Sequence, residues 1–167
     1  MKDPLAIYLH DHLAGARWAL DLLDRIHKNF TDEDVGRFAA TLYGEIAADR
    51  ETLHSLASQF GPTSDVLKDS AAWLSEKVSR IKLSHDDGTG LGLFEALEFL
   101  GLGIHGKLSL WIALGEVADR YPGLAQVDLD SLRDRAQEQE RAVERFRLIA
   151  ARVVFTNSPR AANNSQP

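Results

Sequence analysis

Residues 91–117 read LGLFEALEFLGLGIHGKLSLWIALGEV, and the fold turns on this stretch. Leu93, Leu97, Leu100, Ile104, Leu108 and Trp111 recur at the three- and four-residue spacing of one helix face, while Phe99, Leu110, Leu114 and Val117 fill another. A helix that is apolar nearly all round belongs at the centre of a bundle or in an interface. The pattern predicts a helix from about Leu91 to Tyr121. Gly101, Gly103, Gly106 and Gly115 interrupt it, each at a cost of about 1 kcal/mol relative to Ala. They mark either a kink near a site or the close approach of a neighbouring helix.

The flanking segments carry the same period but are apolar on narrower faces. A first helix runs from about Pro4 to Lys28, with Asp3 as its N-cap and Leu5, Leu9, Leu13, Ala16, Leu20, Leu23 and Phe30 inward. A second opens at Thr31 with the acidic turn Asp32-Glu33-Asp34, closes at Gly61-Pro62, and buries Phe38, Leu42, Ile46, Leu53, Leu56 and Phe60. A shorter helix over Ser64 to Ser84 is long enough, at about 30 Å, to carry the chain back along a bundle. His85 to Gly92 reads as a turn. The last helix begins near Asp128 to Ser131 and ends at Phe155, with Leu132, Ala136, Val143, Phe146 and Ala150 inward. Strand-like alternation is absent from the sequence pattern. The chain reads as all-α, an antiparallel four-helix bundle over 1–155 with a helical crossover between the second and third long helices. A polar tail, 156–167, is expected to be disordered.

The chain has 167 residues, no cysteine and a formal net charge of -6, which disfavours thiol chemistry, cysteine metal sites and nonspecific nucleic-acid binding. The N-terminus lacks the run of a secretory signal, and no window was expected to reach the length of a membrane span. The sequence therefore predicts a soluble cytoplasmic protein with no nucleic-acid or membrane partner.

In helix lengths and order the chain resembles the ferritin-like superfamily over Leu5 to Phe155. The segments YLHDHLAGA (8–16), AAWLSEKVSR (71–80) and LGIHGKLSLW (102–111) resemble a little-characterised bacterial group within it. The resemblance implies the bundle and brings no activity with it. A di-iron centre in such a bundle needs a Glu from each of two helices and Glu-x-x-His from each of the other two, all inward. The single match is Glu51-Thr-Leu-His54. Glu51 falls about 180° and His54 about 120° from Leu42 on the wheel, so both face outward. The last helix has Glu138, Glu140 and Glu144 but no histidine. On the third, Glu95, Glu98, His105 and Glu116 lie opposite Leu93 and Trp111. A standard di-iron centre is not expected, and no cofactor is assigned.

Other polar residues do fall on the apolar stripes. Asp49 lies about 20° from the centre of the second stripe and Glu45 about 60°; His12 and His27 fall within the first, Lys107 within the third and Gln139 within the fourth. Counted from Thr31, His12 and Asp49 stand at about 27 Å, and a returning crossover puts Lys107 at about 24 Å and Gln139 at about 27 Å. His12, Asp49, Lys107 and Gln139 can share one layer. The plain reading is an Asp49–Lys107 ion pair that sets register and repels a metal cation. Two functional readings stand beside it: a degenerate metal site on Glu45, Asp49 and His12, or an acid-base or small-ligand site using the same groups. His10, His54, His85 and His105 are expected at the surface.

The first helix has a second apolar line, Tyr8, Gly15, Trp18, Leu22 and Ile26, with Trp18 almost opposite the core stripe. It requires a cover, either the crossover helix through Trp73 or a second subunit in a symmetric dimer. The favoured function is a non-catalytic scaffold or interaction protein, oligomeric and lacking a di-iron centre. Its rivals are a metal-binding oxidoreductase and a ligand-binding or acid-base protein.

Overall fold

A computed structural model describes residues 3–61, 83 and 90–156. Over these residues the chain forms four long helices and no strand: α1 (Pro4–Asn29), α2 (Asp34–Ser58), α3 (Leu91–Gly115) and α4 (Leu129–Thr156). Two single 3-10 turns, Ala118–Arg120 and Leu124–Gln126, join α3 to α4. The expected crossover helix, Trp73 within it, most of the 85–92 turn and the tail beyond Thr156 lie outside the described residues.

Local chemistry sets the helix ends. The Asp3 carboxylate accepts from the Leu5 N–H at 2.9 Å and Pro4 occupies the first turn, as expected for α1. The start of α2 differs from expectation, because Thr31 does not cap it. The Thr31 hydroxyl instead donates to the His27 and Lys28 carbonyls, satisfying the end of α1, and α2 begins at Asp34. It ends at Ser58, short of Gly61. α3 stops at Gly115, since Val117 onward tightens into 3-10 geometry.

The α1–α2 corner depends on one glycine. A Cβ at Gly36 would stand 1.9 Å from the Phe30 carbonyl oxygen, an overlap with rigid backbone. The His27 ring nitrogen Nδ1 lies 3.1 Å from the Gly36 carbonyl and ties the same corner across the loop.

Two apolar clusters form the core. One gathers Leu22, Leu23 and Ile26 of α1, Leu42 and Ile46 of α2, Leu97, Leu100 and Ile104 of α3, and Val143 and Ala150 of α4. The other gathers Leu9, Leu53, Leu56, Leu108, Leu110, Trp111, Leu114, Leu132 and Ala136. Trp111 is 1% exposed and sits in the second cluster, yet α3 is not buried all round: Leu102 and Ile112 are exposed. α3 is also long and apolar enough to cross a membrane by length and composition, contrary to the sequence expectation.

Most of the second apolar line of α1 is buried within the chain. Trp18, Leu22 and Ile26 are buried, and Trp18 packs edge-on to Phe99 of α3 at 6.4 Å. α1 meets both α2 and α3, so two of its faces are inward and Trp18 is a core residue. Tyr8 is half-buried, edge-on to His12 at 4.7 Å. α3 is continuous across its glycines; a Cβ at Gly101, Gly103 or Gly106 would make only ordinary contact with its neighbour, and one at Gly115 would meet nothing within 4 Å. Gly103 faces the Trp18 ring, Gly106 faces His12 and Gly101 faces Val143.

Replacing Gly36 by Ala is expected to destabilise the protein by about 1–3 kcal/mol through forced displacement of backbone. Gly44→Ala, where a Cβ meets nothing within 4 Å, is expected to stabilise it by about 0.5–1 kcal/mol. Urea denaturation of the two variants checks both signs.

Candidate functional site

Between the two apolar clusters lies a layer of charge. Asp49, 2% exposed, projects from α2 one turn beyond Ile46 and one turn before Leu53. Its Oδ2 accepts from Lys107 Nζ of α3 and its Oδ1 from Arg135 Nη2 of α4. Lys107 Nζ donates also to Gln139 Oε1, and Gln139 Nε2 donates to Glu45 Oε2 at 2.9 Å. Gln139 is 3% exposed; Glu45 is exposed at the rim and closes the network.

Helical spacing explains the assembly. Glu45 and Asp49 stand four residues apart on one face of α2, and Arg135 and Gln139 stand four apart on one face of α4. Two carboxylates meet two cations and one amide. Burial pulls the Lys107 ammonium below its usual range; the Asp49 charge and hydrogen bond oppose that pull, Glu45 more weakly, while Arg135 adds to it.

The structure joins Glu45, Asp49, Lys107 and Gln139 as the sequence suggests, and adds Arg135. Arg135 is not among the inward residues expected for α4 from the sequence, and it stands in a stretch where Arg alternates with acidic residues. Its position four residues before Gln139 is the signal that would have found it. His12 lies nearby but makes no hydrogen bond to the layer among the described residues. Burial lowers its pKa, with Asp11 opposing. His10 is half-buried rather than exposed, its Nε2 3.2 Å from the Gly61 carbonyl oxygen, which links the start of α1 to the end of α2. Glu51 and His54 are exposed, and His105 pairs at the surface with Glu140 at 3.0 Å. Among the described residues no three His, Asp or Glu side chains converge as a metal-ligand set. At Asp49 both carboxylate oxygens already hold a cation.

Beside the layer is a cleft of about 550 Å³ enclosed by α1, α2 and α3. Asp49 and Lys107 form part of one wall, Gly15, Ala16 and Ala19 of α1 and Gly103 and Gly106 of α3 are among the other lining residues, and Trp18 and Trp111 complete it. Lining residues with little or no side chain leave volume that larger ones would fill. Four side-chain atoms of lining residues are buried without a hydrogen-bond partner: Asp11 Oδ1, Trp18 Nε1, Arg50 Nε and Trp111 Nε1. Sequence reading identified neither the cleft nor these atoms.

No family model, no curated protein and no solved structure matches the chain.

Removing Asp49 strands a cation that is 14% exposed, so Asp49→Ala is expected to cost about 3–5 kcal/mol. Lys107→Met should cost less, about 1–3 kcal/mol, because Arg135 still holds Asp49. Combining it with Asp49→Asn should recover part of the loss. Equilibrium unfolding decides; a neutral Lys107→Met would place Lys107 outside the layer.

The lowered pKa of His12 fixes a second expectation. Below the unfolded value of 6.5 the unfolded chain binds a proton that the folded chain resists, so this contribution is complete above pH 6.5. It is lost as the pH falls from there through the lowered folded pKa. His12→Leu should flatten the decline in stability across that window, as read by melting temperature against pH.

Proposed function

We propose that the protein is a non-catalytic binding protein that holds a small, mainly apolar molecule in the cleft between α1, α2 and α3. The observation that carries this reading is an apolar cleft of about 550 Å³ whose otherwise apolar lining includes a few polar side chains, Asp11, His12, Arg50 and Lys107. Ligand pockets combine such a volume with a few convergent polar groups. Asp49 and Lys107 of the charged layer stand in one wall of the cleft. This favours the small-ligand reading over a degenerate metal site, whose central carboxylate already holds two cations.

The architecture we assign is an antiparallel, ferritin-like bundle. Paired contacts support it, because partners on α3 and α4 run in opposite directions: Lys107 with Gln139, His105 with Glu140, Glu98 with Arg147, and Phe94 with Phe155. Glu45 with Gln139 and Asp49 with Arg135 give α2 and α4 the same relation. We place the protein in the cytoplasm, in keeping with its lack of cysteine.

A homo-dimer is the further reading, but through a different surface from the Trp18 line. Leu148, Ile149, Val153 and Phe155 of α4 are each about half exposed, an apolar patch at one end of the helix that a second copy would cover. Light scattering should give a dimer mass that falls to the monomer in Ile149→Lys/Val153→Glu.

Gly15→Leu tests the cleft, because a Cβ at Gly15 meets nothing within 4 Å and the longer side chain extends into the opening. The wild-type protein should enhance the fluorescence of an anilinonaphthalene sulfonate probe with a saturable affinity, and folded Gly15→Leu should lose that binding. Equal binding by the two proteins would sink the reading.

A further inference from the structure

We infer that the ligand is an uncharged aliphatic alcohol whose hydroxyl lies about a third of the way along its chain, held by the His12 imidazole, with a short apolar arm on one side and a long one on the other. This rests on the cleft being a ligand site.

The place of the polar group follows from the register of the lining. Among the described residues, every charged or imidazole side chain of the wall falls in one narrow band: Asp11 and His12 on α1, Asp49 and Arg50 on α2, and Lys107 on α3. Two contacts show that these stretches stand at one level. Lys107 bonds to Asp49, and a Cβ on Gly106, next to Lys107, would stand 4.0 Å from His12 Cε1. Along α1 the band lies three or four residues from Tyr8 at one end of the lining and seven or eight from Ala19 at the other. Along α3, Lys107 lies four residues from Trp111 and eight from Phe99. At about 1.5 Å per residue both helices give about 5–6 Å of cleft on one side of the band and about 10–12 Å on the other. α2 agrees in order, with Leu53 on the short side and Ile46 on the long one. A molecule with its polar group at one end leaves one of these two apolar lobes unfilled or drives an apolar chain across the charges.

His12 is the group of the band that meets the guest. Its ring nitrogens have no hydrogen-bond partner among the described residues, and neither is sealed within the protein, unlike Asp11 Oδ1, Arg50 Nε and both indole nitrogens of the wall. Cε1 lies between the two nitrogens, so the ring edge that carries them is the one turned toward α3 at Gly106. Burial lowers the pKa of this imidazole, and the neutral ring offers one N–H donor and one bare acceptor. A hydroxyl both donates and accepts, so it bonds to either nitrogen.

The neutrality of the guest follows from the charges around that ring. Within the lining, Asp11 and Asp49 are matched in number by Arg50 and Lys107, and Asp49 is already bonded to Lys107. A charged head at this level meets both signs at once and gives up its water without gaining a counter-charge of its own.

Calorimetry or equilibrium dialysis on the purified full chain tests the inference with dodecanol isomers carrying the hydroxyl on the first, second, fourth or sixth carbon, and with the amine and the carboxylate built on that same fourth carbon. The fourth-carbon alcohol should bind tightest, about three- to tenfold tighter than the terminal alcohol, the worth of one hydrogen bond. His12→Phe should bring the isomers to equal affinity while still binding the terminal alcohol, which shows that the variant is folded. His12→Gln, which keeps a donor and an acceptor, should retain the preference. Equal affinity of the isomers for wild type, tightest binding of the terminal alcohol, a preference that survives in His12→Phe, or tighter binding of the amine or the carboxylate would each overturn the inference. If no alcohol binds while the fluorescent probe binds wild type and not Gly15→Leu, the alcohol is wrong and the cleft stands. If the probe too fails to distinguish those proteins, the ligand site falls with it.

Discussion

The register of the bundle depends on Asp49. One carboxylate on α2 binds a lysine from α3 and an arginine from α4, with apolar clusters on either side. Leucine-on-leucine packing tolerates a slide of one helical turn, because a similar residue waits there. The layer does not, since sliding α3 by a turn would set Lys107 against Ile46 or Leu53 and leave Asp49 with Arg135 alone. A buried ionic group without its partner costs several kcal/mol, whereas the intact pair adds little net stability. The layer therefore discriminates between packings more than it deepens the well, and Gln139 extends it by receiving Lys107 and gripping Glu45.

That same arrangement bears on the metal reading of the inward polar residues. A bundle site for two metal ions needs an excess of carboxylate over cation at its centre. Here Asp49 and Glu45 are matched by Lys107 and Arg135, with Gln139 where a fourth helix would offer a ligand. His12 is close enough to help line the cleft, yet burial lowers the pKa of its imidazole and it makes no hydrogen bond to the layer among the described residues. The bonded layer is accounted for by structure alone.

Much of this was legible in the sequence because helix period and the cost of burying charge are both local rules. They separate Asp49 and Lys107 from Glu51 and His54 without coordinates. Other features were not legible, for identifiable reasons. A threonine between two helices reads equally well as the start of one or the end of the other, and Thr31 serves the end. A wheel with one buried stripe cannot describe α1, which packs against two neighbours, so the line of Trp18 was left needing a cover that α3 in part supplies through Phe99. Arg135 sits in a run of alternating charge whose average is a surface. The cleft depends on which residues of α1, α2 and α3 come together, a tertiary relation that no single helix records.

The two features, layer and cleft, divide the mechanical roles of the helices. α2, α3 and α4 are bonded to one another through Asp49, Lys107, Arg135 and Gln139. α1 contributes no hydrogen bond to that network among the described residues; it is tied to α2 near its ends, by His10 at Gly61 and by His27 at Gly36. Between these ties lie Gly15, Ala16 and Ala19, the residues with the least side chain to interlock with α3. That middle is still packed on its other face, where Trp18, Ala19, Leu22 and Leu23 enter the core. On the proposed reading a guest would enter where α1 and α3 interlock least, since no buried ion pair joins those two helices among the described residues. The charged layer and the small residues of α1 thus act on different contacts, the first fixing α2, α3 and α4 to one another and the second leaving space beside α3.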